Sequence, residues 1–362
     1  MASAISGNRP DNAQVQHTLG LRVGRDILGA VGDVEISPLS THNFSFTFSV
    51  KAGTPSGLRH VFVKIPKTDL RSRQPTILPI TSGDRRMAQE EESSLRLLGE
   101  KWEGNDLQVY WVKLRGTIAD DNAIVTDRVF ADPGFSAFRR LDLLRRLGFR
   151  QKGQRLCRLM GRLGTAFGRF HQANAKATVF RLSKMIPKLE FYCQKLASAT
   201  GSPWPERVLK MVRPMGGMEF ESIEVPTLKG IDMRNVLIDA QDSLYLLDPG
   251  KTKLAPREAA LARFMMTYRI LYWGSNLLLL VRTPDPKAEE SFLSAYYAGG
   301  ESRGGRLLDL YLLKEQLKHW HTALDSLRLR AWSPAATRLA ADIYVNPFYT
   351  RQIRAQFHAI AG

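Results

Sequence analysis

Only two cysteines, Cys157 and Cys193, occur in the 362 residues. They are too few for a disulfide framework or a four-thiolate zinc site, and they read as isolated thiols of a reducing compartment. Long apolar runs are also missing. The longest in the second half, Leu277 to Val281, falls far short of the roughly 20 residues that cross a bilayer. From Met1 to Val15 the chain is polar, with no basic cluster leading into an apolar stretch, so no signal peptide is predicted and a cytoplasmic protein is expected. Internal repeats, low-complexity tracts, P-loop, nucleophile-elbow and His-Glu-x-x-His patterns are all absent. Acids are scarce beside bases, 35 against 52, a formal charge of +17. That imbalance favours an anionic partner such as nucleotide, nucleic acid, acidic lipid or anionic glycan, without choosing among them. Hydrophobic residues, at 44%, are too abundant for whole-chain disorder, and the length predicts about two domains.

What is present divides into two unlike halves. Phe44, Phe46, Phe48 and Val50 alternate with Ser45, Thr47 and Ser49, which predicts a half-buried strand over 43–50. The turn composition KAGTPSG then leads into His60 to Ile65, a second strand stopped by Pro66, giving an antiparallel hairpin. Residues 84–99 switch to helical spacing, and Leu107 to Leu114 and Ala123 to Val129 read as two further strands. From about residue 134 the pattern is mainly helical, as in Arg155 to His171 and Arg306 to Leu327, with one embedded hairpin over Val236 to Leu247. The expected class is α+β, with a β-rich lobe over 1–130 and a helical lobe over 131–362.

Four polar residues stand at telling places. Lys64 sits inside the apolar strand VFVKIP, where it either points to solvent from an edge or reaches an anion. Glu91 lies on the following helix and could pair with it, although Glu90 and Glu92 are equally available. Asn235 enters the apolar run Val236 to Ile238, and Asp248 follows the strand LYLL and opens an Asp-Pro-Gly turn.

Together these residues resemble the eukaryotic-type kinase fold, in which a lysine holds the α/β-phosphates, a glutamate orients it, and an asparagine and a strand-end aspartate bind Mg²⁺. More narrowly, the chain resembles the aminoglycoside phosphotransferase branch of small-molecule kinases. Thr41-His42-Asn43 is similar to that branch's phosphate loop, Glu91 to Leu98 to its Glu-x-x-x-Leu-x-x-Leu helix, and LGTAFGRFH at 163–171 to its central helix. Asn235 to Ile238 and Leu246 to Gly250 resemble its two metal-binding motifs, and Thr126 to Val129 falls on the hinge that meets adenine. The resemblance implies a two-lobed fold with a small antiparallel β-sheet and one helix in the first lobe. It further implies ATP and Mg²⁺ as cofactors, Lys64, Glu91, Asn43, Asp127 and Val129 at the nucleotide, and Asn235 and Asp248 at the metal. The implied reaction is γ-phosphoryl transfer to a hydroxyl of a small molecule, sugar or glycan-linked acceptor.

Departures from the pattern bear on catalysis. The family's loop reads His-x-Asp, with the aspartate five residues before the asparagine; here Leu228-Lys229-Gly230 stands in its place. Asp232 is the nearby carboxylate that can take the base role if the loop is shortened. Loss of general-base help costs about 10²–10⁴-fold, while positioning and charge stabilisation supply most of phosphoryl transfer. The alternative is a catalytically silent pseudokinase acting as a regulatory or scaffold module.

A second feature is basic. Between Arg139 and Arg162 nine Lys and Arg face the single acid Asp142, with Phe138, Leu141, Leu144 and Leu147 as an apolar stripe. It reads either as a solvated helix face or as a contact for anionic lipid at the inner membrane surface. No zinc-finger or RNA-binding signature accompanies it, which argues against nucleic acid.

Overall fold

The computed structural model describes residues 11–42, 44–68, 70, 75–273, 283–297, 305–328 and 332–361. Asn43, the run Leu277 to Val281 and residues 1–10 lie outside them. Elements follow in the order α1 (Asn12–Arg22), β1 (Val34–Ile36), β2 (Ser40–His42), β3 (Ser45–Thr54), β4 (Gly57–Pro66), α2 (Ser82–Lys101), β5 (Val109–Trp111), β6 (Leu114–Ile118) and β7 (Ala123–Asp127). Then come β8 (Asp132–Pro133), α3 (Gly134–Arg146), α4 (Arg150–Ala173), β9 (Lys176–Arg181), α5 (Ile186–Thr200), α6 (Trp204–Val212) and β10 (Glu219–Leu228). The last are β11 (Val236–Ile238), β12 (Leu244–Leu246), β13 (Thr252–Pro256), α7 (Arg257–Arg269), α8 (Pro286–Tyr296), α9 (Gly305–Arg328), α10 (Pro334–Ala340) and α11 (Asn346–Ala361). The class is α+β with mainly antiparallel sheets, as expected. Two units divide it: Met1–Asp132 with Leu228–Gly230 and Leu237–Thr252, and Pro133–Thr227 with Ile231–Val236 and Lys253–Gly362.

In the first unit the sheet runs β1-β3-β4-β7-β6, which makes β4 an interior strand. The β3–β4 hairpin turns at Pro55-Ser56, with Thr54 opposite Gly57, so the strands extend beyond the sequence expectation. Period-two alternation sends Phe46, Phe48, Val50, Val61, Val63 and Ile65 to one face, where they bury against Leu19 and Val23 of the α1 region. No helix was expected there. The opposite face was expected to be wet, yet Ser45, Thr47 and Ser49 are buried too. Lys64 shares that face, opposite Thr47 in β3 and Ile124 in β7. A capping box between Thr81 and Asp84 starts α2. Its Ala88 and Leu95 pack with Val112 and Ile124. The strand expected over 107–114 breaks at Val112: β5 pairs in parallel with β12, Leu244 opposite Val109, while β6 pairs with β7.

In the second unit α4 lies along α8 at a distance only glycine permits, since a Cβ at Gly164 would sit 2.1 Å from the Phe292 carbonyl oxygen. The antiparallel pair β9–β10 is a second departure from the helical reading of this half. Its exposed Glu219 and Glu221 alternate with half-buried Phe220 and Ser222, a strand pattern diluted by charge. Within the basic run, α3 and α4 are separate helices. Arg145 and Arg146 turn inward, Arg145 to Asp285 at 2.8 Å and Arg146 to buried Asp142 at 2.9 Å. Among the described residues no helix is long and apolar enough to cross a membrane.

His171 on α4 is buried and bonded through Nδ1 to the Tyr296 hydroxyl at 2.8 Å. Burial pushes it down to about 3, helped by the charge of Arg257. A histidine whose folded value lies below its unfolded value near 6.5 loses stability as pH falls through that range, because the unfolded chain binds the extra proton. Acidification from pH 7 to pH 5 should therefore cost about 2 kcal/mol at this residue. Urea unfolding across that range should show a pH slope smaller by about one proton in His171→Gln; an unchanged slope would remove the assignment.

Candidate functional site

Lys64 is held from two sides within the first unit. Its Nζ donates to both Glu91 oxygens, Oε1 at 2.9 Å and Oε2 at 2.8 Å, and to Asp248 Oδ1 at 2.6 Å. The α2 spacing explains the choice of glutamate. Glu91 shares a helical face with buried Ala88 and Leu95, whereas Glu90 pairs with Lys251 and Glu92 with Arg96. Asp248 follows β12 in the left-handed region at φ 50°, which Asp tolerates better than most residues, and its side chain is 46% exposed.

Two carboxylates thus share one ammonium. Burial, and then the Asp248 charge, hold Glu91 above the usual carboxylate range, although Lys64 opposes them. Burial disfavours the Lys64 charge, but Glu91 and Asp248 outweigh it and raise the lysine as well. Both directions describe one cluster with surplus negative charge and a strong hold on protons.

Gly230 explains the missing aspartate. A Cβ there would stand 1.6 Å from the Asp248 carbonyl oxygen, so no side chain fits. The Gly230 N–H donates to Pro249 O at 2.8 Å and the Lys229 N–H to Lys251 O at 2.9 Å, binding this loop to the Asp-Pro-Gly turn.

Asp232 and Asn235 belong to the second unit. Asp232 is buried, caps the turn Met233–Asn235 and accepts from Arg234 Nε at 2.8 Å and Nη2 at 2.5 Å. Burial would raise this carboxyl, but Arg234 more than compensates and holds it below its ordinary value. The Asn235 N–H donates to Asp232 O at 2.9 Å. The Met233 N–H donates to Thr267 Oγ1 of α7 at 2.9 Å, which anchors the turn. Asp127 ends β7 in a two-point pair with Arg115, and Val129 packs against the Ala88, Leu95, Val112 and Ile124 group. The structure therefore brings Lys64, Glu91 and Asp248 together, leaves Asp127 and Val129 at the end of β7, and places Asp232 beside Asn235. The Arg234 clamp was not anticipated, although its position two residues after Asp232 was a signal.

No protein-family model matches the chain, and no curated protein matches it in sequence. Solved structures do. A choline kinase from Cryptosporidium parvum Iowa II superposes with a TM-score of 0.54 at 10% identity, over 95% of this chain and 94% of that one. A macrolide 2′-phosphotransferase from Brachybacterium faecium gives 0.51 at 14% identity, over 92% and 98%. An ADP-bound aminoglycoside phosphotransferase gives 0.50 at 9% identity, over 97% and 99%. The fold is that of the small-molecule kinases and phosphotransferases.

Proposed function

We propose that this chain is an ATP- and Mg²⁺-dependent phosphotransferase acting on a hydroxyl of a small molecule, sugar or glycan-linked acceptor. The observation that carries the reading is the Lys64–Glu91–Asp248 cluster, set on a fold whose solved examples include an ADP-bound phosphotransferase. The cluster suits the cofactor: its surplus negative charge and the half-exposed Asp248 oxygens are hard donors of the kind Mg²⁺ prefers. Asp248 and Asn235 would hold the metal, which when bound neutralises charge on the phosphates. Lys64, aimed by Glu91, would hold the α- and β-phosphates, and Asp127 to Val129 would meet the adenine. Asp232 would orient the acceptor hydroxyl and take its proton. Its pairing with Arg234 makes it a weak base, which suits a reaction driven mainly by positioning and charge.

That same pairing is what favours the rival reading, a catalytically silent module that binds nucleotide or a partner. Incubation with γ-labelled ATP, Mg²⁺ and a panel of hydroxyl acceptors separates the two. Label on an organic acceptor, lost in Asp232→Ala while MgATP still stabilises the fold, supports the enzyme. No label with MgATP stabilisation intact supports the silent module, and no stabilisation at all leaves the fold alone.

A cytoplasmic site and an anionic membrane surface belong to the same proposal. Leu147 and Phe149 are exposed at the turn between α3 and α4, amid the basic run Arg139 to Arg162. Phosphatidylglycerol vesicles should co-sediment the protein, and Leu147→Ser with Phe149→Ser should release it. Equal pelleting of the double variant would argue against this contact.

A further inference from the structure

A second charged cluster lies in the second unit, around Glu315 of α9. Glu315 is buried, and its two oxygens pair with Lys314 Nζ at 2.9 Å and Lys318 Nζ at 2.8 Å. Arg263 of α7 stands one helical turn before Thr267, the residue that anchors the Asp232 turn, so both lie on the face that meets that turn. The charge of Arg263 acts on Asp232 as well as on Lys318 and Lys253. Lys253 of β13, whose carbonyl accepts from Thr227 Oγ1 at 2.9 Å, also feels Lys188 of α5 and Lys314.

Lys314 and Lys318 thus hold Glu315, Lys253 and Arg263 lie within electrostatic reach of these lysines, and Lys188 lies within reach of Lys253. Among the described residues, Lys188, Lys253 and Arg263 have no carboxylate within ion-pair distance, and the neighbouring Glu258 is already paired with Arg257. Partial desolvation first, and then the charges of Lys188 and Lys314, hold Lys253 below the ordinary lysine value; burial, helped by Arg263 and Lys314, does the same to Lys318 against the opposing pull of Glu315. A fold gains nothing by crowding unpaired cations. An anion would offset the repulsion and accept charge-assisted hydrogen bonds from several ammonium groups at once.

We propose that the hydroxyl acceptor carries a phosphate or carboxylate, and that Lys188, Lys253, Arg263, Lys314 and Lys318 receive it beside the Asp232 turn. This rests on the phosphotransferase reading above and narrows its acceptor class. A cationic acceptor such as choline would be repelled here.

Inorganic phosphate is the first probe, added with the nucleotide site filled by a non-hydrolysable MgATP analogue and with chloride at matched ionic strength as control. Phosphate should raise the melting temperature of the wild type. It should do so at least tenfold less potently in the Lys188→Gln/Lys253→Gln variant, whose substituted side chains are both exposed and, among the described residues, make no ion pair. No stabilisation beyond the chloride control, or equal potency in the variant, overturns the proposal. Transfer assays with glucose 6-phosphate and glucuronate against glucose and choline then tell phosphate from carboxylate; preference for glucose or choline also overturns it. If phosphate acts through these lysines but MgATP stabilises nothing, the anion site stands and the phosphotransferase reading falls.

Discussion

Asp248→Asn should fold normally, melt at or above the wild-type temperature, and show no stabilisation by MgATP. Asn tolerates the left-handed backbone at φ 50° as well as Asp does, so the turn survives. Replacing the acid removes one of two negative charges from a cluster with a single cation, while Lys64 keeps both Glu91 contacts. The folded state is spared a like-charge repulsion, and the anionic carboxylate donor gives way to a neutral, weaker amide oxygen and an NH2 group. Phosphotransfer should fall by about 10³-fold or more, since one precisely aimed charge contact at a reacting group is worth 10²–10³-fold and Asp248 would serve both lysine and metal. Lys64→Met is the contrast. It leaves Glu91 buried without its cation, which costs about 3–5 kcal/mol and drives the carboxyl to take a proton. Both variants should lose the MgATP response, yet one should be as stable as the wild type and the other much less so. Thermal unfolding of the three proteins with and without MgATP decides it. A full MgATP shift in Asp248→Asn would place the nucleotide away from this cluster.

How much of this was written in the sequence differs from residue to residue. The β3–β4 hairpin was legible because Phe46, Phe48 and Val50 alternate over a long stretch, and α4 and α9 because their apolar steps recur for several turns. The glutamate partner of Lys64 was legible in principle, since position 91 lies four before Leu95 and seven before Leu98, on the buried stripe that Glu90 and Glu92 miss. The α1 region was not, because its burial rests on Leu19, Val23 and close packing of Gly20 and Gly24 on Ile36 and Val34, contacts that leave little periodic trace. The break between β5 and β6 was hidden because the run Leu107 to Leu114 looks continuous while its two ends join different sheets. Charge clusters built from separate elements, such as Arg263 of α7 with Lys253 of β13 and Lys318 of α9, exist only once the chain has folded.

Gly230→Asp, the substitution that would place a carboxylate where the resembled loop pattern has one, should instead disable the protein. The new Cβ would lie 1.6 Å from the Asp248 carbonyl oxygen and 2.8 Å from the carbonyl carbons of Asp248 and Pro249, all backbone atoms that cannot swing aside. Relief requires the loop to part from the Asp-Pro-Gly turn, giving up the Gly230–Pro249 and Lys229–Lys251 hydrogen bonds. Two such bonds at about 1 kcal/mol each, with about 1–3 kcal/mol for overpacking, make a loss of roughly 3–5 kcal/mol. That is a large part of the 5–15 kcal/mol that holds a typical domain folded. The parting also moves Asp248 away from Lys64. A general base is worth at most about 10⁴-fold, and it brings no gain if Asp248 and Lys64, the proposed metal ligand and phosphate cation, are displaced together. Gly230→Ala separates space from charge: equal loss of urea stability and of the MgATP shift in both variants means that the missing side chain is excluded by contact. The opposite result, a stable Gly230→Asp protein with faster turnover, would mean that the loop can open and that Asp232 was never the base.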